Sequence, residues 1–190
     1  MAPAQPLDFD TAVRAAEAII AAEAADPEVR PESRSRLLSH GSRTGRAVLL
    51  LHGYTLAPSS TGTGRGVLRP WVQRVDTRAP QHGTVDRRAH HRVEAAELTT
   101  YAARAWAVAA ALGDEVGVVG ISGGAVLAAW LAQVPGNVVR HLLLLSPFFG
   151  PDPGRRRPTR SDRSSFCTDA ASCLTGSRRA GTLSPPSPST

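Results

Sequence analysis

Residues 113–132 read "GDEVGVVGISGGAVLAAWLA". An apolar run, Val116–Ile121, ends in the cluster Gly120-Ile121-Ser122-Gly123-Gly124, and a helical pattern of Ala, Leu and Trp begins at once. Val116–Ile121 is apolar on both faces, as suits a parallel strand covered on each side. Gly124–Val134 has helical spacing and stops at Pro135. A serine set among glycines at such a handover has two readings. It is either a nucleophile on a strained turn or a tight connection that needs small residues.

The flanking pattern favours a layered α/β domain. Ala95–Leu112 has helical periodicity and meets Gly113, a natural residue for a helix C-terminus. Val138–Leu145 is a second fully apolar strand. Strand and helix in alternation predict a doubly wound, mostly parallel sheet. Upstream, "FDTAVRAAEAIIAAEAAD" reads as an amphipathic helix, with Asp8 or Asp10 as its N-cap and Pro27 beyond its end. The stretch that follows reads as a hairpin. Its strands are Ser35–Ser39 and Ala47–Leu51, and its turn lies at Gly41–Gly45.

Composition limits the function classes. A chain of 190 residues has room for one domain with a sizeable core. All 22 basic residues are arginine, which points to a GC-rich coding sequence. Residues 151–190 carry seven Arg and three Asp, so +4 of the net +6 belongs to this segment. Without interleaved aromatics the segment does not read as a nucleic-acid surface, and no nucleic-acid partner is expected. Its Arg/Pro/Ser-rich composition predicts a disordered, low-complexity tail after a core spanning 1–150. No secretory leader and no membrane span is read, so a cytoplasmic protein without a membrane partner is expected. Cys167 and Cys173 match no metal spacing, and neither metal nor cofactor is expected.

The G-x-S-x-G match says little alone, but its position at the end of a buried strand and the start of a helix is what a nucleophile elbow requires. Gly120 and Gly124 would then be small because side chains there would collide as strand and helix close up. Ser122 Oγ would stand at the C-terminal edge of the sheet, where open α/β sheets hold ligands.

With "AVLLLHGYT" at 47–55, "APQHGT" at 79–84 and "LLLLSPFFG" at 142–150 in order around the elbow, the chain resembles the α/β-hydrolase family, in its small esterase, lipase and carboxylesterase branch. The resemblance covers roughly residues 30–55 and 79–150. It implies that Ser122 attacks an acyl ester, a small-molecule substrate, and that the oxyanion is held by the backbone N–H groups of Gly123 and Tyr54. His52 and Gly53 would shape the oxyanion loop, and His82 would belong to loop structure. His90 and His91 read as solvated surface residues, and Trp106 and Trp130 as core packing.

Two departures from the family pattern follow. In the family an acid and then a histidine follow the serine, yet the one histidine after Ser122 is His141. His141 opens its strand, about 15–20 Å from the elbow edge at ~3.3 Å per residue. No acid or base is identified, so two strands, their helices and two triad positions read as absent, and the chain reads as inactive. The alternative is a non-catalytic remnant or binding protein of the same fold. The second departure is composition. Residues 56–78 have the length of the family's helix plus strand without the periodicity of either. They and the tail read as frame-shifted translation, restored near residue 79 in the first case and never in the second. Oligomeric state is not legible.

Overall fold

The computed structural model describes residues 7–58 and 72–149. Cys167, Cys173 and the low-complexity segment 151–190 lie outside the described residues. Helix α1 spans Phe9–Ala25, and the Asp8 side chain caps it by accepting from the Thr11 N–H at 2.8 Å and the Thr11 hydroxyl at 2.7 Å. Strand β1 (Arg36–Leu38) and strand β2 (Thr44–Leu51) follow. Next come strand β3 (Val72–Thr77), helix α2 (Ala95–Leu112) and strand β4 (Gly113–Ile121). Helix α3 (Gly123–Leu131) and strand β5 (Val139–Leu145) complete the described chain. The three apolar elements around the elbow and α2 therefore fall where periodicity predicts them.

The sheet order is β1-β3-β2-β4-β5, with β1 antiparallel and every other pairing parallel. Here the hairpin expectation is corrected. β1 and β2 are not paired, because β3 lies between them and bonds to both. A local turn signal cannot report a strand that arrives from 20 residues downstream.

Val72–Thr77 is a regular strand within 56–78, where the sequence shows no clean period, and residues 59–71 lie outside the described residues. Periodicity missed it because polar residues are buried in it with partners. Gln73 Nε2 donates to the Ser42 carbonyl at 2.6 Å, and Gln73 Oε1 accepts from the His40 N–H at 3.0 Å. The Arg74 guanidinium meets the Asp76 carboxylate at 2.5 Å. Satisfied in this way, polar side chains tolerate burial that would otherwise cost several kcal/mol.

One apolar core joins the sheet to the helices. Parallel register puts Ala47, Leu49 and Leu51 of β2 on the same face as Gln73, Val75 and Thr77 of β3. Val116 and Val118 of β4 share that face and meet Leu98, Ala102, Ala109 and Leu112 of α2 and Leu127, Ala128 and Leu131 of α3. Ala12 and Ala16 attach α1 to the same cluster, and Trp106 and Trp130 pack half-buried against it. All three described helices therefore serve one face.

Gly113 is small for a different reason than its helix-terminal position suggests. Its φ of −140° is extended, and β4 starts at that residue. A Cβ there would sit 2.5 Å from the Ala47 nitrogen, so the glycine lets β4 close against β2.

Candidate functional site

Because β2 and β4 run parallel in the register Leu51↔Gly120, their C-terminal ends are neighbours. The loop leaving β2 therefore emerges beside the turn leaving β4. A Cβ on Gly53 would lie 3.2 Å from Ser122 Cβ and 3.4 Å from the Ile121 carbonyl. A Cβ on Gly123 would lie 3.2 Å from the Tyr54 nitrogen. The sequence-predicted residues His52, Gly53, Tyr54, Gly120, Ser122, Gly123 and Gly124 are thus brought into one cluster.

Ser122 has φ 53° and ψ −116°, a region that L-residues with side chains rarely occupy. Its amide donates to the Leu145 carbonyl at 2.8 Å, which ties the turn to β5. Its Oγ has no hydrogen-bond partner among the described residues. Gly120 and Gly124 leave no room for side chains. A Cβ on Gly120 would meet Ala125 Cα at 2.5 Å, and one on Gly124 would run into the Leu51 and His52 carbonyl oxygens. Gly123 is the first residue of α3, so its N–H has no acceptor within the helix. A glycine occupies the mirror image of the extended region at no cost, so Ser122→Gly should raise unfolding free energy by about 1 kcal/mol. Chemical denaturation checks this, and an unchanged or lower midpoint would show that the turn is unstrained.

His52 is buried and doubly engaged. Its Nε2 accepts from the Ala79 N–H at 2.9 Å, so the ring proton sits on Nδ1, which donates to the Gly53 carbonyl at 2.9 Å. Burial pushes its pKa down to about 4, only partly offset by the Gly53 bond. A ring fixed as the neutral Nδ1–H tautomer, with both nitrogens occupied, braces the loop after β2 against the loop after β3. His82 is buried beside it, ring centres 5.2 Å apart, with Nδ1 2.7 Å from the Pro80 carbonyl, and burial lowers its pKa as well.

His90 departs from expectation. Rather than being solvated, it is half-buried, edge-on to the Tyr54 ring at 5.2 Å, and its carbonyl accepts from the Tyr54 hydroxyl at 3.0 Å. His91 is exposed, as expected. No periodicity marks the short 3-10 turn Ala89–Arg92 that turns His90 inward. Tyr101 was also missed. Its hydroxyl donates to the Thr77 carbonyl at 3.0 Å, and burial raises its pKa.

The remaining histidines lie elsewhere. His141 pairs with Gly117, five residues short of Ser122 along β4, and is exposed. His40 binds the Val72 carbonyl at the start of β3. None of the six histidines is hydrogen-bonded to Ser122. Beside the loop, an open cavity of about 400 Å³ is lined by Arg30, Thr55, Leu56, Gln81, Arg87 and His90 among others. Among the described residues, no three His, Cys, Asp or Glu side chains converge as metal ligands, and no helix is long and apolar enough to cross a membrane.

No family model matches the chain, and no curated protein matches it. Among solved structures it is similar to one described under "LipS and LipT, two metagenome-derived lipolytic enzymes increase the diversity of known lipase and esterase families". The TM-score is 0.58 at 22% identity, over 67% of this chain and 51% of that one. The chain therefore spans about half the length of that structure. At this identity the likeness speaks to fold alone: the mostly parallel five-stranded sheet with its helices matches a partial α/β-hydrolase fold.

Proposed function

We propose that this chain carries the nucleophile half of a serine ester hydrolase. Ser122 Oγ is the nucleophile toward an acyl carbonyl, and the Gly123 and Tyr54 backbone N–H groups receive the oxyanion. The observation that carries this reading is the backbone of Ser122, held at φ 53° between β4 and α3 with Gly53 and Tyr54 packed against it. The N-terminus of α3 adds a favourable field for developing negative charge. The ester substrate class comes from the lipolytic neighbour and from the motif together.

We further propose that the 190-residue chain does not turn over by a triad mechanism. A serine hydroxyl needs a base to take its proton, and that base needs an orienting acid. His52 is already committed at both ring nitrogens, and His141 sits at the level of Gly117. The second reading, a non-catalytic protein of this fold, is favoured by the same lack of a histidine on Ser122. The elbow and oxyanion amides of an otherwise intact enzyme retain roughly 10³–10⁴-fold over water without a triad, and an open, wet site lowers that further. Hydrolysis of p-nitrophenyl acetate should therefore match a Ser122→Ala control. Turnover that depends on Ser122 would overturn the inactive reading and leave the nucleophile assignment standing.

The composition of 56–78 and 151–190 fits out-of-frame translation of a GC-rich gene, restored near residue 79 in the first stretch and never in the second. One alternative frame of the coding DNA over 59–71 should give an amphipathic helix. Stop codons in both alternative frames would contradict this.

A further inference from the structure

Glu23 is a carboxylate where the pattern of α1 calls for an apolar side chain. It completes the buried stripe that begins with Ala12 and Ala16, and it is the buried residue of the helix's last two turns. Both of its oxygens are occupied. Oε2 accepts from the Ser35 N–H at 2.6 Å, and Oε1 accepts from the Ser35 hydroxyl at 3.0 Å and from Arg78 Nε at 3.1 Å. Ser35 Oγ in turn accepts from the Arg78 N–H at 2.9 Å, and Arg78 Nη1 donates to the His82 carbonyl at 3.0 Å. Arg78 directly follows β3, so it is held by its backbone and by its guanidinium at the point where the chain leaves the sheet.

The next residue carries the bond that reaches the candidate site. The Ala79 N–H belongs to the peptide that leaves Arg78, and it donates to His52 Nε2 at 2.9 Å. His52 Nδ1 donates to the Gly53 carbonyl, one residue before Tyr54. A continuous path therefore runs from Glu23 through Arg78, Ala79 and His52 to Gly53. A buried ion pair is poor evidence of stability, because desolvation consumes most of its attraction and an apolar pair of similar volume often serves as well. Bonds that fix one peptide from several directions have a clearer effect on position. The far end of the same loop is held separately, main chain to main chain. There the Arg30 N–H donates to the Gly83 carbonyl at 3.0 Å, and the Val85 N–H to the Glu28 carbonyl at 2.8 Å.

We propose that Glu23 and Arg78 are positioning residues for the candidate oxyanion loop. Their ion pair sets the Ala79 peptide, and that peptide sets the His52 ring that braces Gly53 and Tyr54. The chemical meaning of this path rests on the reading of Tyr54 as an oxyanion donor. The path itself is tested without turnover, so its failure and the failure of that reading are seen separately.

The N–H···N bond between Ala79 and His52 gives a direct signal, a scalar coupling between the two nitrogens in isotope-labelled protein. The coupling is expected in the parent chain. Glu23→Gln combined with Arg78→Met keeps an acceptor for the Ser35 N–H and replaces the ion pair with neutral groups of similar length. In this variant the coupling should fall to roughly half or less, and the Ala79 amide should exchange at least about tenfold faster. The amides of Val85 and of Val118 in β4 should exchange as in the parent. Arg78→Lys keeps the charge without the second arm to His82, and as a second variant it should shift the same two readouts in the same direction. Arg43→Gln breaks the ion pair to Asp114, 2.8 Å long and at the opposite end of the sheet, and should leave the coupling unchanged. A parent chain without the coupling overturns the proposal. So does a coupling preserved in both Arg78 variants, an acceleration shared equally by Val85 and Val118, or the same loss in Arg43→Gln.

Discussion

Gly124→Ala should be the most damaging single methyl in the described chain, lowering unfolding free energy by about 3 kcal/mol or more. The added Cβ points at the Leu51 and His52 carbonyl oxygens, which are backbone atoms at the end of β2 and cannot rotate away. Relief requires α3 to lift off the sheet or the loop after β2 to move outward. Leu127, Ala128 and Leu131 of α3 belong to the core, so lifting the helix opens that core. Moving the loop takes Gly53 and Tyr54 away from Ser122. Either route separates the elements that make the candidate site. Gly117→Ala is the matched control. Its nearest neighbour would be His141 Cβ at 3.6 Å, ordinary contact, so its effect should stay within about 0.5 kcal/mol. Thermal melts of the two variants should differ by ten degrees or more on the scale of about 4–8 °C per kcal/mol for a small domain. Equal melting temperatures would mean that α3 does not seat on the β2 carbonyls.

Acid should destabilise the fold well above the carboxylate range, and His52 is the largest cause. In the unfolded chain its imidazole takes a proton below its ordinary 6.5, whereas burial holds the folded ring neutral down to about 4. Between those values the unfolded state binds more protons, so stability falls as the pH is lowered through the window. The full interval corresponds to roughly 3 kcal/mol. His82 and His90 are shifted the same way, His82 by burial and His90 by burial and then the neighbouring His91, so they steepen the loss. Asp8 and Asp86 titrate below their ordinary 3.8, Asp8 through the Thr11 N–H and Asp86 through the Arg88 N–H, and contribute only at lower pH. Urea unfolding from pH 7 to pH 4 should show this decline, and His52→Gln should flatten it while lowering stability at pH 7. A parent chain equally stable at pH 6.5 and pH 4.5 would show that His52 is not locked neutral.

What was legible in the sequence divides along physical lines. α2 was bounded correctly because its face repeats with the helical period against a single core, and Gly113 marks the end of that face. The tight strand-to-helix turn at Ser122 was legible because Gly120, Ser122 and Gly124 report steric demands that act within five residues. Strand pairing was not, because it depends on which distant segment arrives between β1 and β2, and β3 carries that information in no local signal. β3 was further obscured by Arg74 and Asp76, whose burial depends on side-chain partners that the sequence does not show. His90 was misread for a similar reason. A His-His pair in a charged run reads as surface until the Tyr54 ring is known to lie beside it. For the candidate site, the approach of Gly53 and Tyr54 to the Ser122 turn follows from the parallel β2 and β4, while the tautomer of His52 required the Ala79 amide.

Fluorophosphonate labelling with peptide mapping tests the account most directly, because the probe reacts with a serine only where a base has activated it and an oxyanion site receives the product. With Ser122 on a strained turn, His52 committed to Gly53 and Ala79, and no histidine bonded to Ser122, the account predicts no more adduct on the parent chain than on Ser122→Ala. Stoichiometric adduct at Ser122 would contradict it, and would mean that a histidine assigned here to loop structure reaches the serine hydroxyl.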